Sequence, residues 1–264
     1  MTLTEILAYL GTGILSGLLA GLLGVGGGVI IVPALILVFG HLGFAPEWLA
    51  HLAVGTSLAS IIGTGWSSAL AHHRRGAVQW DLFWRLIPGI ILGAWAGAAI
   101  AGLLPQTWLQ RLFGGFLVYV GVRMLRPREQ IRRQAGPDRW GVAMAGGGIG
   151  ALSAIVGIGG GTLTVPYLVK TGLDLRQAVA TSSACGVPIA LAGTLGFMIS
   201  GWGREGLPGM SVGFIYWPAV LGILITSVPM APYGARLAHR LPVPLLSRFF
   251  GILLLLMAAR LLLG

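Results

Sequence analysis

The sequence predicts an all-α polytopic membrane protein made of two inverted-topology repeats. Each repeat has five helical segments, the first two forming a glycine-broken hairpin. Three observations carry this reading. Of 264 residues, 56% are hydrophobic and 9% charged, against roughly a quarter charged in a soluble domain. Apolar runs of about 17 to 25 residues recur, each long enough as a helix to cross hydrocarbon. The chain also repeats itself: GVGGGVIIVP at 24–33 returns as GIGGGTLTVP at 157–166. A closed β-barrel would instead show alternating segments of about 10 residues.

The segments follow in order. Residues 4–23 form the first apolar segment, and the N-terminal MTLTE has no basic flank and leads to no small-residue cleavage pattern. A retained helix is therefore expected, not a removed signal. Segment 28–40 reaches only about 20 Å as a helix and pairs with 4–23 as a re-entrant hairpin or a tilted crossing. Segments 49–71, 83–103 and 109–125 complete a first repeat, residues 1–125. The linker 126–139 carries Arg126, Arg128, Arg132, Arg133 and Arg139. The second repeat, 140–264, holds segments 140–156, 161–170, 177–200, 212–233 and 245–262. With each short segment counted or not, eight to ten crossings result.

The halves echo each other beyond the glycine phrase. AVGTSLA at 53–59 matches AVATSSA at 178–184, IPGIILG at 87–93 matches WPAVLG at 217–222, and LPQTWLQRLFG at 104–114 matches LPVPLLSRFFG at 241–251. Four echoes in one order mean internal duplication. With the 72–81 loop and the 126–139 linker both cytoplasmic, only Arg111, Arg204 and Arg260 of the 17 Lys and Arg lie outside. That satisfies the positive-inside rule and makes echoed segments run in opposite directions, as in many secondary transporters. The net charge of +10 therefore orients the chain in a membrane and does not read nucleic acid.

The chemistry is expected at the repeated phrases. Gly26, Gly27 and Gly28, like Gly159, Gly160 and Gly161, break a helical pattern where lipid would leave irregular backbone unsatisfied, so protein or a cavity must surround them. A helix restarting at Val29 or Thr162 presents free N–H groups and the positive end of its dipole, an anion site. Pro33 and Pro166 are expected in the first turns of these helices, where a missing N–H costs little. Thr56 and Ser57, with Thr181, Ser182 and Ser183, add uncharged hydroxyls. Glycines 89, 93 and 97, and 13, 17 and 21, have the spacing of close helix packing.

Other chemistries fit poorly. A dinucleotide fingerprint would need glycine at Val29 and a βαβ unit. No Asp or Glu lies clearly in mid-membrane, so no carboxylate proton relay is visible. The single cysteine, Cys185, excludes an internal disulfide and a cysteine-cluster metal site. A hydrolase using Ser57 or Ser182 would lack both the GxSxG elbow and a membrane-centre histidine. No catalytic residue, metal or cofactor is expected.

These phrases resemble the TauE/SafE family of sulfite exporters, duplicated membrane proteins with a GxGGG…VP phrase near the start of each half and an A(V/T)xTS phrase after it. The similarity covers nearly the whole chain. It implies export of a small sulfur-containing oxyanion, sulfite or an organosulfonate, across the bacterial cytoplasmic (inner) membrane. Its partners would be that anion and the lipid bilayer. The expected site lies between the repeats at Gly26 to Val29, Gly159 to Thr162, Thr56, Ser57, Thr181, Ser182 and Ser183. Ser183 stands where the first half has Leu58, so the half-sites are not equivalent. Rival readings are an anion-uptake permease on the same scaffold, a membrane-embedded enzyme and a non-transporting scaffold.

Overall fold

The computed structural model describes residues 2–24, 26–125, 139–237 and 243–263. All ten expected segments are helices: α1 (Leu3–Leu23), α2 (Gly28–His41), α3 (Leu49–His73), α4 (Trp80–Leu103), α5 (Gln106–Leu125), α6 (Arg139–Val156), α7 (Gly161–Lys170), α8 (Leu175–Ser200), α9 (Trp217–Leu237) and α10 (Val243–Leu263). Among the described residues, α1, α3, α4, α8 and α9 are long and apolar enough to span a membrane. The chain is thus an all-α polytopic membrane protein. The linker expected at 126–139 lies outside the described residues up to position 138.

Local signals set the helix ends. Thr2 and Glu5 form a reciprocal capping box at the start of α1, and Asp174 and Gln177 form one at α8, each satisfying first-turn N–H groups. One boundary departs from the expectation that a helix begins at 212. Residues 211–216 instead form a small antiparallel pair, β1 (Ser211–Val212) and β2 (Ile215–Tyr216). Hydropathy extends the segment because Phe214 and Ile215 are fully buried. Their burial comes from docking: the Phe214 N–H donates to the Phe197 carbonyl of α8 at 3.2 Å.

Small residues make the helix seams. A Cβ on Gly17 of α1 would lie 2.8 Å from Ser227 Cα of α9, and one on Gly97 of α4 would lie 2.8 Å from Ala151 Cα of α6. Lipid supplies no hydrophobic drive between helices, so such close backbone packing is a main source of association. Contacts advance together along α1 and α9, where Gly13 meets Ile223, Gly17 meets Ser227 and Gly21 meets Ala231. They also advance together along α4 and α6, where Gly89 meets Ala143, Gly93 meets Gly147 and Gly97 meets Ala151. Both pairs are parallel.

The central helices complete the pattern. α3 runs parallel to α9, bonded by Thr56 to Tyr216 at one end and Ser67 to Val228 at the other. α8 runs parallel to α4 in the same way, from Thr181 and Gln79 at one end to Ser200 and Gly102 at the other. α3 and α8 are mutually antiparallel: Ser68 meets Ser183, while Leu58 meets Gly193. These two helices are the most enclosed of the spans. The outer surface carries large apolar side chains such as Leu92 and Met144, as a lipid-facing surface requires.

Candidate functional site

Both glycine breaks begin and end in the same way. Gly24 caps α1 in the left-handed conformation, its N–H donating to the Ala20 carbonyl. After each break the next helix is capped by a left-handed glycine, Gly27 (φ 78°) for α2 and Gly160 (φ 76°) for α7, a conformation that disfavours any side chain. The helices therefore start at Gly28 and Gly161, one residue earlier than Val29 and Thr162. Neither cap supplies a side-chain hydrogen bond. Helical bonding begins only with Ile30 and Leu163, which donate to the Gly27 and Gly160 carbonyls.

With these starts, Pro33 and Pro166 fall in the second turn of α2 and α7, not in the first turn as expected. There a proline removes an i to i−4 bond, freeing the carbonyls of Val29 and Thr162. Each break thus combines a helix N-terminus without a side-chain cap with a carbonyl that lacks its i+4 donor.

The two breaks meet backbone to backbone. A Cβ on Gly26 would lie 3.0 Å from Gly159 Cα, and one on Gly28 would collide with the Gly157 carbonyl oxygen. Their depth is set by α3 and α8. Ile61, midway along α3, would lie 3.2 Å from the Gly26 Cβ, and a Cβ on Gly186 near the middle of α8 would lie 2.8 Å from the Gly159 carbonyl oxygen.

The hydroxyls singled out from the sequence bind the halves to each other. Ser57 Oγ donates to the Gly157 carbonyl at 2.8 Å, and its echo Ser182 donates to the Gly24 carbonyl at 3.2 Å. Thr56 Oγ1 accepts from the Tyr216 N–H just before α9, and its echo Thr181 accepts from the Gln79 N–H just before α4, both at 3.0 Å. Each TS pair therefore fixes the end of a broken helix and the entry to a spanning helix, both belonging to the opposite half. Ser183 is different: it donates to Val179 of its own helix at 3.0 Å and accepts from Ser68 at 3.2 Å.

Two hydroxyls at the second break have no partner, Ser153 on α6 and Thr162 on α7, and a third unpartnered hydroxyl, Thr194, lies on α8 two turns beyond Gly186. Ser153 is 2% exposed, and its Oγ would lie 3.4 Å from a Cβ on Gly160. The echoed first-half positions are Ala20, Val29 and Ala69. Of the three, sequence reasoning singled out Thr162 alone. The signal for the others was the half-to-half comparison, in which a hydroxyl replaces an apolar residue, as Ser183 replaces Leu58. An unpaired hydroxyl in an apolar interior is costly, so such groups call for a reason.

Comparison with known proteins places the chain among membrane transporters. Residues 9–261 match the family described as Sulfite exporter TauE/SafE. A "Probable membrane transporter protein" of Haemophilus influenzae is 36% identical over 257 residues, covering 97% of both chains. A protein of the same description from Xylella fastidiosa is 29% identical over 98% of this chain and 95% of its own. One from Bacillus subtilis is 26% identical over 86% and 88%. No solved structure matches. The chain belongs to the TauE/SafE sulfite exporter family, a family of membrane transporters and not of enzymes.

Proposed function

We propose that the protein exports a small sulfur-containing oxyanion, sulfite or an organosulfonate, across the bacterial cytoplasmic membrane through a site between two inverted repeats, 1–125 and 140–264. The inverted arrangement is supported by helix direction. α1, α3 and α9 run one way, while α6, α8 and α4, their respective echoes in the other half, run the opposite way. Breaks meeting at mid-depth suit alternating access around a fixed site.

The observation that carries the reading is the pair of unpartnered hydroxyls, Ser153 and Thr162, beside the helix N-terminus at Gly161, which has no side-chain cap. Neutral donors and a positive dipole end suit a small anion that must bind and also leave. The oxyanion takes hydrogen bonds from the backbone N–H groups of Gly26 to Val29 and Gly159 to Thr162 and from the Ser153 and Thr162 hydroxyls. Thr56, Ser57, Thr181 and Ser182 hold the breaks in register, and Ser183 ties α8 to α3. An interior-negative potential of about 100 mV favours expelling one negative charge by about 2.3 kcal/mol, on the order of fifty-fold in concentration.

The test is flux of labelled sulfite from liposomes of purified protein under an imposed potential, with sulfate, thiosulfate and acetate as competitors. Saturable, potential-driven sulfite flux is expected, and folded Gly160→Leu protein carries none. Normal flux in that variant overturns the site. Folded wild-type protein that moves none of the sulfur oxyanions overturns the substrate.

A further inference from the structure

The cleft between the C-terminal ends of α3 and α9 encloses a cavity of about 460 Å³. Its wall is apolar, made by Leu70 and Ala71 of α3 and by Val228, Pro229 and Pro232 of α9. Its rim is basic: Arg74 and Arg75 follow α3, and Arg236 lies in the last turn of α9. Among the described residues, none that lines the cavity is acidic. The parallel course of α3 and α9 puts all three guanidinium groups at one end of the cleft.

The cleft opens sideways, toward lipid. Trp66 lies one turn before Leu70 and is 64% exposed, and Ile225 lies one turn before Pro229 and is 68% exposed. Residues four apart share a helix face, so the wall runs without a break onto apolar outer surface. The groove is also built to persist. Pro232 cannot donate to the Val228 carbonyl, and Ser67 Oγ of α3 does so instead at 2.7 Å. Arg75 donates to the Ala71 carbonyl at 3.0 Å, and Arg236 lies 5.5 Å over the Tyr233 ring. Two of the three cations are thereby held by contacts on their own helices.

We infer that this groove is a binding site for one anionic phospholipid, its phosphate held by Arg74, Arg75 and Arg236 and one acyl chain laid over Leu70, Val228 and Pro232. A free anion would gain nothing from the apolar wall, and a zwitterionic lipid would leave most of the charge uncompensated. Basic pockets between spanning helices favour such headgroups, and guanidinium groups match phosphate in geometry. The inference does not depend on which ion the protein carries.

Native mass spectrometry of the detergent-purified protein, titrated with phosphatidylglycerol or phosphatidylcholine, tests it. One phosphatidylglycerol per chain is expected in preference to phosphatidylcholine and is retained against inorganic phosphate. Arg236→Gln should weaken it about fivefold and the triple variant with Arg74→Gln and Arg75→Gln roughly a hundredfold, while Arg111→Gln leaves it unchanged. Unchanged melting of the single Arg236→Gln variant guards against misfolding. Undiminished binding in the triple variant, equal retention of phosphatidylcholine, or displacement by inorganic phosphate would each overturn the inference.

Discussion

Ser57 and Ser153 are both buried serines near the glycine breaks, and truncating each to alanine should have opposite consequences. Ser57 Oγ is fully buried and bonds the Gly157 carbonyl at 2.8 Å. Ser57→Ala leaves that carbonyl unpaired, at a cost of about 1–3 kcal/mol in general. Hydrogen bonds between membrane helices average about 0.6 and reach about 1.7 kcal/mol, so about 1–2 kcal/mol is expected. Ser182→Ala, which removes the longer 3.2 Å bond to Gly24, should sit at the low end of that range. Ser153 bonds nothing, so Ser153→Ala removes an unsatisfied group and should leave stability unchanged or slightly raised. The assay pairs thermal unfolding in detergent with sulfite flux in liposomes. Ser57→Ala should lower the midpoint and the maximal rate at unchanged KM. Ser153→Ala should raise KM at an unchanged midpoint. A raised KM in Ser57→Ala with no loss of stability would refute the division between anchoring and binding hydroxyls.

Further outcomes follow from the packing. Gly93→Ala brings a Cβ onto the Gly147 carbonyl of α6 and should lower the melting temperature without changing KM for sulfite. Cys185 is fully buried beside Gly186, which abuts the Gly159 carbonyl. If the breaks separate during transport, N-ethylmaleimide should label this thiol faster during sulfite flux than at rest. Equal labelling rates would speak against separation there. Trp48 donates to the Glu205 carbonyl at 3.1 Å and lies under Arg204 at 5.5 Å. Trp48→Ala should therefore speed proteolysis within the loop at 201–210, measured by limited digestion.

The ten segments were legible because a residue that must face lipid or a packed helix is apolar either way. That same fact hid the partners. Glycines 13, 17 and 21 announced a packing face, but nothing in their spacing named α9. Thr56 and Thr181 were visible as an echoed pair, whereas their bonds to Tyr216 and Gln79 depend on chain brought close only by the fold. The stretch 212–216 misled for a related reason: hydropathy measures burial, and Phe214 is buried in a hairpin. At the breaks, Ser153 sits in an apolar run where serine usually bonds its own helix, so its unpartnered state needed coordinates.

The exchange of partners between halves constrains how the chain is made. α1 seats its glycine face on α9, and the Gly24 carbonyl takes its hydrogen bond from Ser182 of α8. At about 5–20 residues per second of synthesis, the roughly 200 residues between α1 and α9 take about 10–40 s to emerge. During that interval the first repeat sits in the bilayer with its small-residue face against lipid. A ribosome stalled before α9 would therefore leave an inserted but unassembled half, with its seam open to quality-control proteases. Two separately made halves, in contrast, carry complementary faces and could assemble with each other after insertion.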